Sequence, residues 1–417
     1  MPMKDEWKGP QEEEYSFLQE VIKDEAGSRK TIKKKVLRRI GFGFVFGIVA
    51  CFTFFASKSW IEEQFPEDPR TVTIPKDEEE EEAEAPDETD AQESQEVTAR
   101  QTLQQLRNVA AEVEKSLVEL SGYSEQESWE GEAEDVDNTL AGVIIADIGK
   151  DLLILSNDLL VKEADVITAS FCDGSEYPVQ IKKRDKNLGL CVYAVKREDI
   201  ADDTWAVIQT AELGSSNAMA TGDIVLALGK PFGYDNGVAY GVMNSGKSLV
   251  EAADGDYRLI NTDISSYRDG SGVLTNEAGE VIGILCQISK KDGTKRGITA
   301  YAVSDIKRVI ELLSNGENVP YVGLYAVDVT DEMQANGLPA GIYVKEVEAD
   351  SPAMAAGIQS GDIITSIAGS DITTYKGYHN TLMTHASGEK IVLQGLRSGA
   401  DKEYVEIEFN VKIGSKE

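Results

Sequence analysis

Short apolar runs separated by turn-forming residues fill the middle of the chain, residues 140–305. Runs such as AGVIIAD, DLLILS, LGLCVYAV, DIVLALG and EVIGILCQI are followed by Gly, Asp or Asn every 10 to 20 residues. Strand-length runs with little helical periodicity are typical of an all-β barrel or sandwich. One helical pattern, VSDIKRVIELL at Val303–Leu313, closes this unit, and a helical lead-in over residues 99–121 precedes it.

The last part of the chain, residues 319–417, has a mixed pattern. Strand-like runs occur at GIYVKEV, DIITSIAG, KIVLQGL and EYVEIEFNV, and helical stretches occur at SPAMAAG and YHNTLMTHA. A segment of this length is large enough to fold by itself. We therefore predict a compact α+β module at the C-terminal end.

A single uncharged apolar stretch, IGFGFVFGIVACFTFFA, lies within residues 36–57 and is long enough to cross a bilayer. Seven Lys and Arg residues lie in residues 29–39, and only Lys58 follows closely. By the positive-inside rule we predict a cytoplasmic leader at 1–35, a single transmembrane helix at 36–57 and the remaining chain outside the cell membrane. The alternatives are a cleaved signal peptide, for which no clear cleavage site follows, and a buried core helix.

Composition then separates the acidic part of the chain from its folded units. The 417 residues include 74 Asp and Glu against 41 Lys and Arg, a formal net charge of -33. That balance argues against nucleic acid as a partner, because phosphate binding needs clustered cations. Residues 62–96 alone hold 16 acidic and 2 basic residues with four prolines. We therefore predict a disordered acidic linker at 58–98 and a second acidic loop at 123–137.

Cation binding is the alternative role for the two acidic stretches. Neither stretch has the alternating Asp or Asn ligands with Gly of a dedicated calcium loop. We prefer a spacer, and we predict no metal and no cofactor.

The motifs of the two folded units, taken in order, resemble the HtrA/Deg family, in which a trypsin-like serine protease domain is followed by a PDZ domain. The resemblance rests on ILSNDLLVKEADVITASFCDG, GDIVLALGKPFG and NTDISSYRDGSGVLTNEAGEVIGI, and then on YVGL with GIYVKEVEADSPAMAAGIQSGDIITSIAG. It implies a mainly β fold: a trypsin-like double β-barrel domain at 99–315 and an α+β PDZ domain at 319–417, behind the N-terminal membrane helix. It also implies a homotrimer assembled through the start of the protease domain.

Enzymes of this family use a Ser nucleophile, a His base and an Asp that orients the His. Aligned by the resemblance, Leu159 occupies the His position and Gly189 the Asp position, whereas Ser271 remains at the nucleophile position. The sequence has no histidine before His379, and His385 is the second of the two. Both fall in or beside a PDZ helix, where we expect them to line a groove or the surface.

The loop that would bind the oxyanion also departs from the family pattern, reading Asp269, Gly270, Ser271, Gly272 and then valine. An unassisted serine hydroxyl is a poor nucleophile. We therefore expect a catalytically inactive protease homologue rather than an enzyme. The alternative is an active serine endopeptidase of envelope protein quality control, in which Ser271 has a base other than histidine. The unaligned candidates for that base are Lys186, Lys230 and Lys247.

The segment Tyr321, Val322, Gly323 and Leu324 resembles the loop with which a PDZ domain receives the carboxylate of a peptide C-terminus. The resemblance implies that Gly323 permits the turn and that Val322 and Leu324 line the pocket. We expect peptide C-termini or exposed segments of misfolded proteins as ligands, or partners in a scaffold. Two alternatives stay open: a module that packs only on its own barrel, and a signalling protein that acts through the leader.

Overall fold

A computed structural model describes residues 71–75, 99–123, 139–162, 164–266, 270–286, 296–399 and 403–417. Within these ranges the chain forms two closed barrels and one further sheet, so the predicted mainly β fold is confirmed. No helix of the described ranges is both long and apolar enough to cross a membrane. The predicted leader at 1–35 and membrane helix at 36–57 lie outside the described residues. So does the predicted acidic loop at 123–137, except for Tyr123, which ends a strand.

The first barrel closes through six antiparallel strands in the order β1-β2-β3-β6-β5-β4. These are β1 (Leu117–Tyr123), β2 (Thr139–Asp147), β3 (Asp151–Asn157), β4 (Val166–Ser170), β5 (Glu176–Asp185) and β6 (Leu190–Lys196). Strand β3 is apolar on both faces because Ile154 points into the barrel, whereas Leu153 and Leu155 join a core shared with the second barrel. This double burial explains the uninterrupted apolar run DLLILS.

The second barrel has the strand order β10-β11-β12-β9-β8-β7. Its strands are β7 (Ile224–Lys230), β8 (Gly237–Ala252), β9 (Gly255–Ser266), β10 (Ser271–Thr275), β11 (Val281–Leu285) and β12 (Arg296–Ala302). A short helix, α2 (Asp202–Trp205), precedes it, and α3 (Val303–Ser314) follows it. The predicted helix at Val303–Leu313 is thus confirmed, and its apolar face is buried in the shared core.

The lead-in differs from its prediction. Helix α1 spans Ala99–Glu114, and β1 begins three residues later at Leu117. Val118 and Leu120 are buried while their neighbours are half-buried. Burial of every second residue is the pattern of a strand. The chain after Glu114 therefore forms a strand and does not continue the helix.

Residues 71–75, within the predicted acidic linker, form no helix or strand, and two of them contact the shared core. Val72 and Ile74 pack against that core. The main chain of Val72 exchanges hydrogen bonds of 2.9 and 3.0 Å with the side-chain amide of Asn315, just after α3. This part of the stretch is therefore attached to the barrels rather than solvated.

The C-terminal module is a sheet in the order β13-β14-β15-β17-β18, with β16 paired to β15. The strands are β13 (Leu324–Asp328), β14 (Ile342–Val347), β15 (Ile363–Ile367), β16 (Ser370–Asp371), β17 (Lys390–Ser398) and β18 (Tyr404–Lys412). Three helices complete it: α4 (Asp331–Ala335), α5 (Pro352–Ala355) and α6 (Tyr375–Leu382). Strand β13 lies at the edge of this sheet, beside α6.

Candidate functional site

Ser271, the predicted nucleophile, is the first residue of β10 and lies where the two barrels meet. It is directly opposite Lys230 in the antiparallel pair of β10 and β7. Its Oγ accepts a hydrogen bond of 2.8 Å from the main-chain N–H of Ala141 on β2. Only 4% of the residue is exposed. The serine is therefore held by the first barrel in a buried position.

The flanking glycines of the predicted oxyanion loop are described, whereas Asp269 lies outside the described residues. A Cβ atom at Gly270 would lie 2.5 Å from the carbonyl oxygen of Pro231, and one at Gly272 would overlap that of Leu228. The chain around Ser271 is thus packed directly on β7 and the turn that follows it. A larger residue at either glycine would have to displace main chain.

The structure brings the two other predicted triad positions together. Leu159 begins a short 3₁₀ turn after β3 and is 37% exposed. The residue before it, Asp158, is buried and donates its main-chain N–H to the carbonyl oxygen of Gly189 at 2.9 Å. Neither Leu159 nor Gly189 supplies a titratable side chain, so proton transfer there would need another group.

Lys230 is a buried cation beside Ser271. Its side chain is 5% exposed, and its Nζ forms an ion pair of 2.6 Å with Asp235. The same amine donates a hydrogen bond to Thr139 Oγ1 on β2. A cavity of about 210 Å³ opens at this point, lined by the lysine, Asp235 and residues of β1 such as Glu119. Of the three lysine candidates, Lys230 is therefore the one that lies opposite Ser271 in the sheet.

The other two candidate lysines lie elsewhere. Lys186 follows β5, where its main chain contacts Lys416 near the C-terminus. Lys247 is exposed on β8. The difference follows from strand register: the run IVLALGK forms β7, and its last residue, Lys230, pairs with Ser271, the first residue of β10.

The predicted carboxylate loop, Tyr321–Leu324, leads directly into the edge strand β13. Gly323 has φ +94°, and a Cβ atom there would also collide with Ser351, so only glycine fits this turn. The main-chain N–H groups of Val322, Gly323 and Leu324 converge on one point. The loop thus has the geometry that receives a carboxylate.

A carboxylate of this same chain is present at that point. Asp254, at the tip of the β8–β9 hairpin, accepts hydrogen bonds of 2.7 Å from Val322, 2.7 Å from Gly323 and 3.1 Å from Leu324. Tyr378 on α6 donates a fourth bond of 2.9 Å from its hydroxyl. Asp254 is 3% exposed.

The main chain of Asp254 also contacts the C-terminal module. Its own N–H donates to the carbonyl oxygen of Leu324 at 2.7 Å, and His379 Nδ1 lies 2.9 Å from its carbonyl oxygen. Burial raises the pKa of the Asp254 carboxyl, although the four donated hydrogen bonds oppose that shift. Burial also lowers the pKa of His379. His379 therefore lines this contact, as expected of a groove residue.

Comparison with known proteins identifies both folded units. A family model described as a trypsin-like peptidase domain matches residues 141–284, and one described as a PDZ domain matches residues 320–411. A probable periplasmic serine endoprotease, DegP-like, of Pseudomonas savastanoi pv. phaseolicola is 31% identical over 260 residues. The serine protease Do-like HtrA of Bacillus subtilis is 28% identical over 297 residues. This chain belongs to the HtrA/Deg family.

The match to these HtrA/Deg relatives is partial in length. It covers 60% of this chain and 52% of the Pseudomonas protein, and 66% of this chain and 64% of the Bacillus protein. The chain thus spans about half to two thirds of the relatives it matches.

Solved HtrA-type structures share the fold. The HtrA-type protease AlgW with a decapeptide has a TM-score of 0.54 and 22% identity, covering 75% of this chain and 99% of that one. AlgW with a tripeptide has a TM-score of 0.53 and 23% identity, covering 74% and 96%.

The comparisons contradict the expectation that this HtrA/Deg chain is not an enzyme. The relatives are named serine proteases or endoproteases, and the matched domain is a peptidase domain. The expectation was wrong because it took a missing imidazole as evidence of inactivity. A lysine amine can also accept the proton of a serine hydroxyl, and the strand register places Lys230 opposite Ser271.

Sequence reasoning missed Asp254, Tyr378 and Asn187 as members of the PDZ contact. Asn187 exchanges hydrogen bonds of 2.8 and 3.2 Å with the main chain of Ala253, which fixes the hairpin tip on the first barrel. The segment AADGDY carries a turn signal, and the positive φ of Asp254 fits it. That signal places a turn but gives no information on the loop that the turn would contact.

Proposed function

We propose that this HtrA/Deg protein is a serine protease whose PDZ domain binds peptide C-termini in the groove between β13 and α6. The observation that carries the proposal is the convergence of three main-chain N–H groups, those of Val322, Gly323 and Leu324, on one carboxylate. Such a nest of donors at the start of an edge strand is how a PDZ domain receives a C-terminus.

The edge strand supports a peptide as the ligand. Strand β13 pairs with β14 on one side only, so its other side can add a strand. Helix α6 packs beside it, and the Tyr375 hydroxyl donates to Leu324 O at 2.6 Å. AlgW, a structural neighbour, is described with a decapeptide. Exposed C-terminal segments of other proteins are the ligands that fit this groove.

Fluorescence anisotropy with a labelled ten-residue peptide that ends in valine tests the binding site. We expect the purified full-length chain or its Asp254→Ala variant to bind the free acid and not the C-terminal amide, because amidation removes the charge that the three N–H groups receive. Absence of free-acid binding in both proteins would refute the proposal, as would equal binding of acid and amide.

A pair of glycine variants assigns the binding to the loop. Gly323→Ala should abolish free-acid binding, because its Cβ collides with Ser351. Gly337→Ala is the matched control: its φ of +96° imposes the same backbone strain, but the space around it is open. Equal loss in both variants would mean that strain, not the loop, affects binding.

A second proposed function is peptide-bond cleavage with Ser271 as nucleophile. Two observations support it: the relatives are named endoproteases, and Lys230 lies opposite Ser271. In such a pair the lysine must first give up its own proton, for which Asp235 at 2.6 Å is an acceptor. The neutral amine then takes the hydroxyl proton as the oxygen attacks the peptide carbonyl. Because Ser271 is buried and its Oγ is bonded to Ala141 on β2, β10 must move away from β2 before a substrate can reach Oγ.

Casein cleavage by the purified chain tests this second function. We expect cleavage that is lost in Ser271→Ala and in Lys230→Met but retained in Lys247→Met, which removes an exposed lysine of β8. Cleavage that persists in Ser271→Ala, or no cleavage by the unmodified chain, would refute it.

We also propose that the barrels and the PDZ domain are extracytoplasmic and anchored by residues 36–57. The basic flank at 29–39 supports this orientation, and the Pseudomonas relative is named periplasmic. Protease added to intact spheroplasts should degrade the barrels and spare the leader; full protection would contradict the orientation. The homotrimer implied by the family stays a prediction that light scattering can check.

A further inference from the structure

The carboxylate site of the PDZ domain is filled by its own chain. The side chain of Asp254 reaches it from the second barrel and uses the same three N–H groups that a peptide carboxylate would use. Its main-chain N–H donates to Leu324 O, the first carbonyl of the edge strand. Carboxylate and N–H together occupy the place of a peptide's last residue.

The hairpin itself has no need of this carboxylate. A turn with positive φ, here +65°, accepts Asn or Gly as readily as Asp. Every hydrogen bond to the Asp254 carboxylate that the structure describes comes from the PDZ domain: three from the loop and one from Tyr378. An unpaired buried carboxylate is strongly disfavoured, so these four donors are what make its burial tolerable.

The tip of the hairpin is shaped to enter the groove. Ala253 is held on the first barrel by the side chain of Asn187. Gly255 lies so near the PDZ helix that a Cβ atom there would be 2.6 Å from His379 Nδ1. The ring of Tyr257 packs edge-on against the same histidine, with 5.5 Å between centroids. The hairpin and α6 therefore fit closely.

We infer that Asp254 is an internal ligand of the PDZ domain, and that a peptide C-terminus binds by displacing it from the Val322–Leu324 loop. This inference rests on the proposed peptide-binding function. Two carboxylates cannot accept hydrogen bonds from the same three N–H groups at once, so binding and docking of the hairpin exclude each other.

Displacement has consequences for affinity and for the domain contact. The apparent affinity of the unmodified chain is reduced by the fraction of molecules in which the loop is free. Peptide that binds also releases the hairpin tip, together with the neighbouring contact between Lys345 and Glu251, an ion pair of 2.8 Å between PDZ domain and barrel. Peptide capture is thereby linked to separation of the PDZ domain from the barrel.

Isothermal titration with the free-acid peptide ending in valine tests the inference on the full-length chain. We expect Asp254→Ala to bind at least about 10-fold more tightly than the unmodified chain, since the loop is then always free. The control is Asp256→Ala, two residues along the same hairpin with an exposed side chain, which should leave the affinity unchanged. Equal affinities of the unmodified chain and Asp254→Ala would overturn the inference and leave the proposed function standing; no binding in either would overturn both.

A second variant guards against loss of fold. Asp254→Asn keeps the size of the side chain but turns an N–H₂ group toward the loop donors, and it should also bind more tightly than the unmodified chain. Circular dichroism and thermal melting check that both variants are folded. A folded Asp254→Asn protein with unmodified affinity would overturn the inference.

Discussion

The carboxylate of Asp254 accepts a 2.7 Å hydrogen bond from the main-chain N–H of Gly323, 69 residues further along the chain. This bond is one of four between Asp254, at the tip of a hairpin of the second barrel, and the loop with which a PDZ domain receives peptides. The contact bears on two interpretations of the sequence: a module that packs on its own barrel and a module that binds C-termini. The structure shows the packing, and the proposed peptide binding would use the same three N–H groups.

Loss of the Tyr378 hydroxyl should weaken the docked state. This buried hydroxyl donates a hydrogen bond of 2.9 Å to the Asp254 carboxylate. A hydrogen bond to a charged group contributes about 1.5–3 kcal/mol to stability. We expect Tyr378→Phe to lower the free energy of unfolding by about that amount, measured by urea denaturation. Tyr343→Phe on β14 is the control, with a half-buried ring. Equal stability of Tyr378→Phe and the unmodified chain would show that the hydroxyl does not hold Asp254.

The pair of Arg258 and Asp305 should stabilise the second barrel against α3. The Asp305 carboxylate, in the first turn of α3, accepts two hydrogen bonds from Arg258: one of 3.0 Å from Nε and one of 2.9 Å from the main-chain N–H of Arg258. We expect Asp305→Ala to cost about 1–3 kcal/mol of unfolding free energy. Arg258→Lys should lower the free energy of unfolding almost as much as Asp305→Ala, because an ammonium group lacks the planar fork of a guanidinium.

An exposed ion pair, Lys345 with Glu251, serves as the control for the pair of Arg258 and Asp305. Lys345 and Glu251 are 39% and 60% exposed at their side chains, and pairs of that kind contribute little because water and salt screen them. Lys345→Met should therefore leave the urea midpoint almost unchanged. A larger loss in Lys345→Met than in Asp305→Ala would contradict the assignment of stability to the Arg258 pair.

Much of the fold was predictable because burial leaves a local pattern. The helix over residues 303–314 and the strands of the C-terminal module follow from apolar periodicity and turn signals. The prediction failed at β1, where the buried Val118 and Leu120 alternate with Glu119 and Ser121 as a strand requires. The helix before them hid that short alternation.

The candidate sites divide in the same way. The turn at Gly323 is local and could be predicted from YVGL, whereas its contact with Asp254 depends on how two domains meet. Similarly, Lys230 lies opposite Ser271, 41 positions further along the chain, through the register of β7 and β10. Pairings that depend on register or on domain contact have no nearby signal in the sequence.

Asp185 should make stability depend on pH. Burial raises the pKa of its carboxyl to about 6, against the N–H groups of Leu188 and Asn187 that favour the anion. The ordinary value is about 4, so between those values the folded chain binds more protons and its stability falls as pH rises. From pH 5 to pH 7 we expect a loss of about 1 kcal/mol from this group.

The Asp185→Asn variant isolates this contribution. Urea denaturation at pH 5, 6 and 7 should give a flatter pH dependence for the variant than for the unmodified chain. Asp202→Asn, whose side chain is 97% exposed, is the control and should keep the unmodified slope. A slope that is the same in all three proteins would show that Asp185 titrates alike in the folded and unfolded chain.

Hydrogen exchange of main-chain amides tests most directly whether a peptide C-terminus displaces Asp254. With the free-acid peptide at saturation, exchange of the Asp254 amide should accelerate at least about 10-fold, because its N–H then loses the carbonyl oxygen of Leu324, while Val322–Leu324 stay protected by the new carboxylate. The amidated peptide should change neither segment. Unchanged exchange of the Asp254 amide in chains saturated with the free acid would contradict the displacement of Asp254.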